Sequence, residues 1–339
     1  MYSKEPRKSP HLPLTTPEVE AFAPDLLCLR VSNGRFAPVN SWILGQAGQP
    51  KAIVDASFPE GLITRAYLDL QADGRLAEVS DLILTHFHRD HSGQFAALAD
   101  HFGPRCHIPA GELAMMRQIL TMPPEQVRAA LDHFLCQLGL TSDEAKSWSP
   151  INYGDLILPK EEPDILHEGQ TLEFGGREWR VLMGTGGGHS PEAASFLSLD
   201  GRYFLAGDQI LGGGGPQVTL WSDAEVDPLG AYLAYLDRMA EVPDDCLVLP
   251  GHGTPFTQLS ARVEEIRQGH LRRLDRMLTS AKAAPKTAIE LIKDIYPPQA
   301  DRLFGVVLFG MTMALATHLW QSGALWREVR PDGVLLFGA

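Results

Sequence analysis

The stretch Thr85 to Gln94, THFHRDHSGQ, follows directly on the apolar run Leu82 to Leu84 and sets His86, His88, Asp90 and His91 at i, i+2, i+4 and i+5. No other feature of the chain restricts its fold as much. A short run of Leu and Ile bounded by turn residues suits a buried strand, so the four side chains stand at a strand end. Neutral imidazole and ionised carboxylate are the donors that borderline divalent metals such as zinc prefer, and a turn can direct alternate residues toward two adjacent ions.

The same arrangement recurs elsewhere. Short apolar runs closed by turns are SWILG, KAIVDAS, WRVLMGTGGGHS, RYFLAGDQI and CLVLPGHG, and three of them end on the missing ligand types: His189 in GTGGGHSPE, Asp208 in FLAGDQIL and His252 in VLPGHGTP. Five histidines and two aspartates suffice for two metal ions sharing a bridge. The glycine-rich stretches GTGGGHS and LGGGGPQ lack the Lys-Ser/Thr ending of a nucleotide P-loop, so their glycines let backbone pass near metals or substrate. Between the strands lie helix-like segments, GELAMMRQILTMPPEQVRAALDHFLCQLG and DPLGAYLAYLDRMAEV. Alternating strands and helices predict an α/β layered fold.

A chain of 339 residues and 37.2 kDa favours one large domain plus a smaller one. After PGHGTPF the pattern changes to three helical segments and a closing hairpin signalled by Pro-Asp-Gly, which sets a boundary between residues 259 and 260. Residues 110–150 read as a helical insertion or a lid between two groups of strands. Lys and Arg number 29 against 42 Asp and Glu, a formal charge of −13, which argues against broad binding to nucleic acid. The N-terminal segment lacks the apolar core of a signal peptide. Cys28, Cys106, Cys136 and Cys246 are scattered, as expected of reduced thiols in the cytoplasm. The apolar segment Leu303 to Trp320 contains Thr312, Thr317, His318 and two glycines, and reads as a buried helix rather than a membrane span.

The HxHxDH string followed in order by His189, Asp208 and His252 resembles the metallo-beta-lactamase superfamily, over roughly Asn40 to His252. That resemblance implies an αββα four-layer sandwich with the metal site at one rim of two sheets. It implies that His86, His88 and His189 bind one metal, that Asp90, His91 and His252 bind the second, and that Asp208 bridges both. Asp55 in AIVDAS matches an early aspartate that braces the site without binding metal. Beta-lactamases of this fold generally carry Cys or Ser at the bridging position, whereas glyoxalase II-like thioesterases, lactonases and phosphodiesterases keep the aspartate, so Asp208 disfavours a beta-lactamase; the glyoxalase II-like branch is the expected one. Residues 260–339 resemble the winged-helix-like C-terminal domain of a subset of these hydrolases. The segment at the position of its recognition helix is nearly all apolar, which favours packing or homodimer formation over nucleic-acid binding.

The expectation is a binuclear metal-dependent hydrolase, thioesterase-like, in which a metal-bridging hydroxide attacks an acyl carbonyl while Asp90 and Asp208 handle the proton. Two zinc ions are expected, though iron and manganese suit the same donors. The alternatives on these ligands are a lactonase, an iron-dependent sulfur dioxygenase and a nucleic-acid processing protein. For substrate contacts, Trp221 lies at the cleft wall or in ordinary packing, and Met115, Met116 and Phe134 fit core better than an acyl pocket. Seven basic against three acidic side chains from Ser260 to Lys286 would suit an anionic carrier such as glutathione or coenzyme A, or form a solvated helix face.

Overall fold

The computed structural model describes residues 14–34, 37–222, 224–298, 300 and 305–339. The N-terminal tail through Pro13, and Leu303 and Phe304 of the expected terminal helix, lie outside them. The first sheet runs in chain order: β1 Glu18–Ala23, β2 Leu26–Val31, β3 Val39–Leu44, β4 Lys51–Val54, β5 Val79–Ile83, β6 Arg105–Pro109 and β7 Asp164–Leu166. Its first four strands are antiparallel and the pairs from β4 to β7 are parallel. Parallel pairing requires crossovers. Helix α1 Gly61–Ala72 lies between β4 and β5, α2 Arg89–Ser92 and α3 Phe95–Phe102 between β5 and β6, and α4 Ala110–Thr121, α5 Pro124–Gln137 and α6 Ser142–Lys146 between β6 and β7.

The second sheet contains β8 Thr171–Phe174, β9 Arg177–Thr185, β10 Glu192–Ser198, β11 Tyr203–Gly207 and β12 Leu247–Pro250, ordered β12-β11-β10-β9-β8. Strand β12 returns parallel to β11 after helix α7 Pro228–Arg238. Asp227 caps α7 by accepting a bond from the Gly230 N–H at 2.8 Å, which satisfies one of the free donors at the helix start.

Strand alternation sorts the apolar side chains into separate cores. Cys28, Trp42, Val54 and Ile83 of the first sheet share one cluster with Val181, Met183, Phe196 and Leu205 of the second. Their chain neighbours Leu29, Ile43, Ile53 and Leu82 point the other way, onto Tyr67, Phe95, Leu98, Leu113 and Met116 of α1, α3 and α4. On the second sheet Leu182, Leu197, Phe204 and Val248 face a third cluster with Leu229 and Tyr232 of α7. The protein is thus a mixed α/β fold with helices packed against its sheets.

Residues beyond β12 form α8 Leu259–Ala283, α9 Ala288–Ile295 and α10 Val307–Gln321, with a three-stranded sheet of β13 Lys286–Thr287, β15 Leu335–Gly338 and β14 Trp326–Val329. The Pro-Asp-Gly signal is realised as the β14–β15 hairpin, with Gly333 at φ 83° in its turn. Leu308, Phe309, Met313, Leu315 and Leu319 of α10 belong to the same apolar cluster as α7 and the outer face of the second sheet. Among the described residues no helix is long and apolar enough to cross a membrane.

Candidate metal centre

The loops that leave β5, β11 and β12 meet at one edge of the two sheets. Thr85 continues from β5, and its carbonyl accepts from the Ala194 N–H of the second sheet at 2.9 Å. Asn40 at the start of β3 receives the loop after β12. Its backbone N–H donates to the Gly251 carbonyl at 2.8 Å, and its side-chain Nδ2 donates to Pro250 O at 2.9 Å and Gly253 O at 2.8 Å. Trp42 Nε1 adds a bond to Pro250 O at 3.1 Å. Gly251 is required here: a Cβ at that position would lie 2.2 Å from Asp208 Oδ1 and 2.8 Å from His91 Cε1.

All seven expected ligands come together. The donor atoms of His86, His88 and His189 lie within 4.8 Å of one another, as do those of Asp90, His91 and His252. Asp208 stands between the two groups. Its Oδ2 is 3.5 Å from His189 Nε2, 4.0 Å from His86 Nε2 and 3.3 Å from His252 Nε2, and its Oδ1 is 3.5 Å from His91 Nε2. Asp90 Oδ2 is 3.3 Å from His252 Nε2.

The Nδ1 atoms of four histidines are held from behind, which fixes the rings and turns Nε2 inward. His86 Nδ1 meets Thr85 Oγ1 at 2.9 Å, His91 Nδ1 meets Asp55 Oδ2 at 2.9 Å, His189 Nδ1 meets Gln217 O at 3.1 Å, and His252 Nδ1 meets Ala37 O at 3.1 Å. Asp55 also accepts from the Thr85 N–H at 2.8 Å and from its hydroxyl at 2.8 and 3.0 Å. With both oxygens occupied, Asp55 acts as a brace, although its carboxylate also lies within 4.8 Å of His86 and His91 donor atoms. Its φ of 60° is a left-handed conformation that Asp tolerates better than most residues, and it directs the carboxylate under the histidine loop.

The inward atoms fit a cation. His86 Nε2, His189 Nε2 and Asp208 Oδ1 are buried without a hydrogen-bond partner. Leaving such atoms unpaired costs about 1–3 kcal/mol each, and shared coordination removes that cost. Burial holds the His86 imidazole well below its ordinary value, reinforced by His91 and His88, and burial with His189 pushes His88 down to about 3. These two rings are neutral donors. Burial opposes charge on His91 and His252 as well, but Asp208, Asp55 and Asp90 raise His91, and Asp208 and Asp90 raise His252 to about 10. The two carboxylates respond in kind: burial works to raise Asp208 and Asp90, and His91 and His252 hold both below the usual range.

Nothing in the sequence pattern marks Glu112, in the first turn of α4. It is fully buried and accepts from the Phe87 N–H at 2.9 Å, the Ser190 hydroxyl at 2.7 Å and the Glu192 N–H at 2.7 Å. Burial raises its carboxyl, while these donors pull it back. Arg89 carries no sequence signal either, and it reaches from the histidine loop to Asp155 at 2.7 Å and Glu60 at 2.9 Å. Trp221 is not brought into the cluster. Its ring lies 5.8 Å from that of Phe134 and packs over Gly310. Met116 and Phe134 are core side chains. Of the basic residues on and after α8, Arg267, Arg262 and Lys286 pair with Asp237, Glu265 and Asp294, and Arg276 bonds the Ile295 carbonyl.

Fold and site together define an α/β protein with His/Asp clusters able to hold metal at one end of its sheets. The family model for the metallo-beta-lactamase superfamily matches residues 34–252, more than half of the chain, and the protein belongs to that superfamily. It is 24% identical over 228 residues to the "Probable metallo-hydrolase YqjP" of Bacillus subtilis (strain 168), an overlap covering 66% of this chain and 69% of that protein. A beta-lactamase domain protein from Burkholderia ambifaria superposes with a TM-score of 0.79 at 27% identity, over 95% of this chain and 93% of its own. A metallo-beta-lactamase family protein from Thermus thermophilus does so with 0.72 at 27% identity, over 94% and 99%. Both likenesses extend past residue 252 into the C-terminal region.

Proposed function

We propose that the protein is a binuclear metal-dependent hydrolase of an acyl bond, with a thioester as the favoured substrate. His86, His88 and His189 would hold one ion, Asp90, His91 and His252 the other, and Asp208 would join them. The observation that carries this reading is the place of Asp208, whose two oxygens lie 3.3–3.5 Å from His189 on one side and from His91 and His252 on the other. The name of the Bacillus relative as a metallo-hydrolase supports the same class. Two divalent ions, with zinc the expected metal and iron or manganese suiting the same donors, would supply Lewis acidity and lower the pKa of a bound water to about 7. The chain's own part is to fix the imidazoles, to keep Asp208 ionised between them, and to offer Asp90, the more exposed of the two carboxylates, for a proton in transit.

Two structural readings belong to this proposal. The three apolar clusters support an αββα order of layers, and α8 to α10 with the β14–β15 hairpin support a winged-helix-like C-terminal unit from residue 260. The test is metal analysis of the purified protein beside a hydrolysis panel of thioesters, lactones, beta-lactams and phosphodiesters. Two ions per chain with thioester turnover is the expected result, and Asp208→Ala should take at least one ion and the turnover away together. One iron per chain, with oxygen uptake and no hydrolysis, would replace the hydrolase by a dioxygenase.

A further inference from the structure

Outside the ligands, the described residues include one carboxylate that is fully buried and joins two ligand loops. Glu112 projects from the first turn of α4. One of its oxygens, Oε2, takes the Phe87 N–H, on the residue between His86 and His88. The other, Oε1, takes the Ser190 hydroxyl and the Glu192 N–H, one and three positions after His189. The brace is reciprocal, because Glu192 Oε2 accepts the Gly111 N–H at 2.6 Å. All of these donors are N–H or O–H groups, so the carboxylate is used as an acceptor throughout.

The three histidines that adjoin these bonds are those of one group. Phe87 and Ser190 adjoin His86, His88 and His189, whereas His91 is held from Asp55, His252 from Ala37, and the Pro250 carbonyl before His252 from Asn40 and Trp42. Asp55 reaches both groups, since Thr85 relays its contact to His86 Nδ1. Glu112 bonds Phe87, Ser190 and Glu192 directly and reaches the second group only at one remove, through the Ser92 hydroxyl on the Phe87 carbonyl at 2.8 Å. A carboxylate buried at this depth and bonded three times sets its partners within hydrogen-bond tolerance of one position.

We infer that Glu112 is a positioning residue for the His86–His88–His189 group, and that it sets the affinity of that metal site more than that of its neighbour. The inference rests on the two-metal reading above. An amide at this position offers one acceptor oxygen in place of two and turns an NH2 toward a backbone N–H, so one ligand loop is released.

The test is zinc titration of the whole protein against a chromophoric chelator, with metal content measured after dialysis. Wild type should take two ions. Glu112→Gln should weaken one of them by about 10–100-fold, the usual effect of losing a group behind a ligand, and the other distinctly less. Ser190→Ala removes one of the three donors and should move the same site less; it also serves if Glu112→Gln fails to fold. Asp81→Asn supplies the structural control, because Asp81 is a buried carboxylate paired with His107 at 2.9 Å away from both groups. It should lower thermal stability and keep both ions. Two ions at wild-type affinity in both Glu112→Gln and Ser190→Ala, or equal weakening of both sites, would overturn the inference while the two-metal reading stands. A wild-type protein that takes up no zinc, iron or manganese would overturn both.

Discussion

At the two ends of the histidine loop, Thr85–His86 and His91–Ser92, and along α10 the chain buries side chains to similar depth with opposite chemistry. In the first, Thr85, His86, His91 and Ser92 are at most 2% exposed, and each is polar. In the second, Leu308 to Leu315 are buried, with Thr312 the one polar side chain among them, and its hydroxyl is spent on the Leu308 carbonyl at 2.8 Å. A buried polar group needs its partner at a fixed distance and direction, while an apolar one needs only volume filled. The rim should therefore lose function with small loss of stability, and α10 the reverse.

The largest effect is expected on the apolar side. Phe309 is 2% exposed and meets the Trp148 ring edge-to-face at 4.8 Å. Phe309→Ala should cost about 3–5 kcal/mol of folding free energy, read from denaturant unfolding, while the folded fraction keeps its full metal content. Loss of metal from folded Phe309→Ala protein would show that the terminal helix supports the site and would break the comparison.

At the rim the counterpart is Asp55→Asn. Its carboxylate holds His91 directly and His86 through Thr85, so both ion affinities should fall by about 10–100-fold, with a smaller change in unfolding free energy than in Phe309→Ala. This sharpens the contrast with Glu112, whose substitution should weaken one ion more than the other. If Asp55→Asn bound both ions as wild type does, the role of Asp55 as a brace would be refuted.

How far the sequence reaches follows the same division. The six apolar runs became β3, β4, β5, β9, β11 and β12, because a short run between turns reports its own burial. The residues proposed as ligands are legible for a similar reason: HxHxDH is a local spacing, and the other three close local glycine-containing turns. Glu112 is not legible. Its partners are 25, 78 and 80 positions away, and a glutamate in the first turn of a helix is ordinary on dipole grounds alone. His318 has no sequence partner either; it pairs with Asp227 across 91 positions at 2.8 Å, tying α10 to the cap of α7. By pattern alone the region 110–150 reads as an insertion or lid, and only the folded contacts reveal that its first turn underpins the loop of His86 and His88.

The smallest effect concerns an imidazole–carboxylate pair outside the rim. Burial works to raise the Asp81 carboxyl, but the bond from His107, with Ser80 and Arg105, brings it below its ordinary value. A carboxylate whose folded value is depressed contributes stability that is present above the unfolded value, about 3.9, and is lost as pH falls through the folded one. Asp81→Asn should thus cost on the order of 1 kcal/mol at pH 7, and the gap to wild type should narrow below about pH 4 as the wild-type carboxylate protonates. Unfolding curves on either side of that pH measure it. A gap that stays constant, or metal loss in Asp81→Asn, would show that this pair is not the purely structural counterpart of His91 and Asp55.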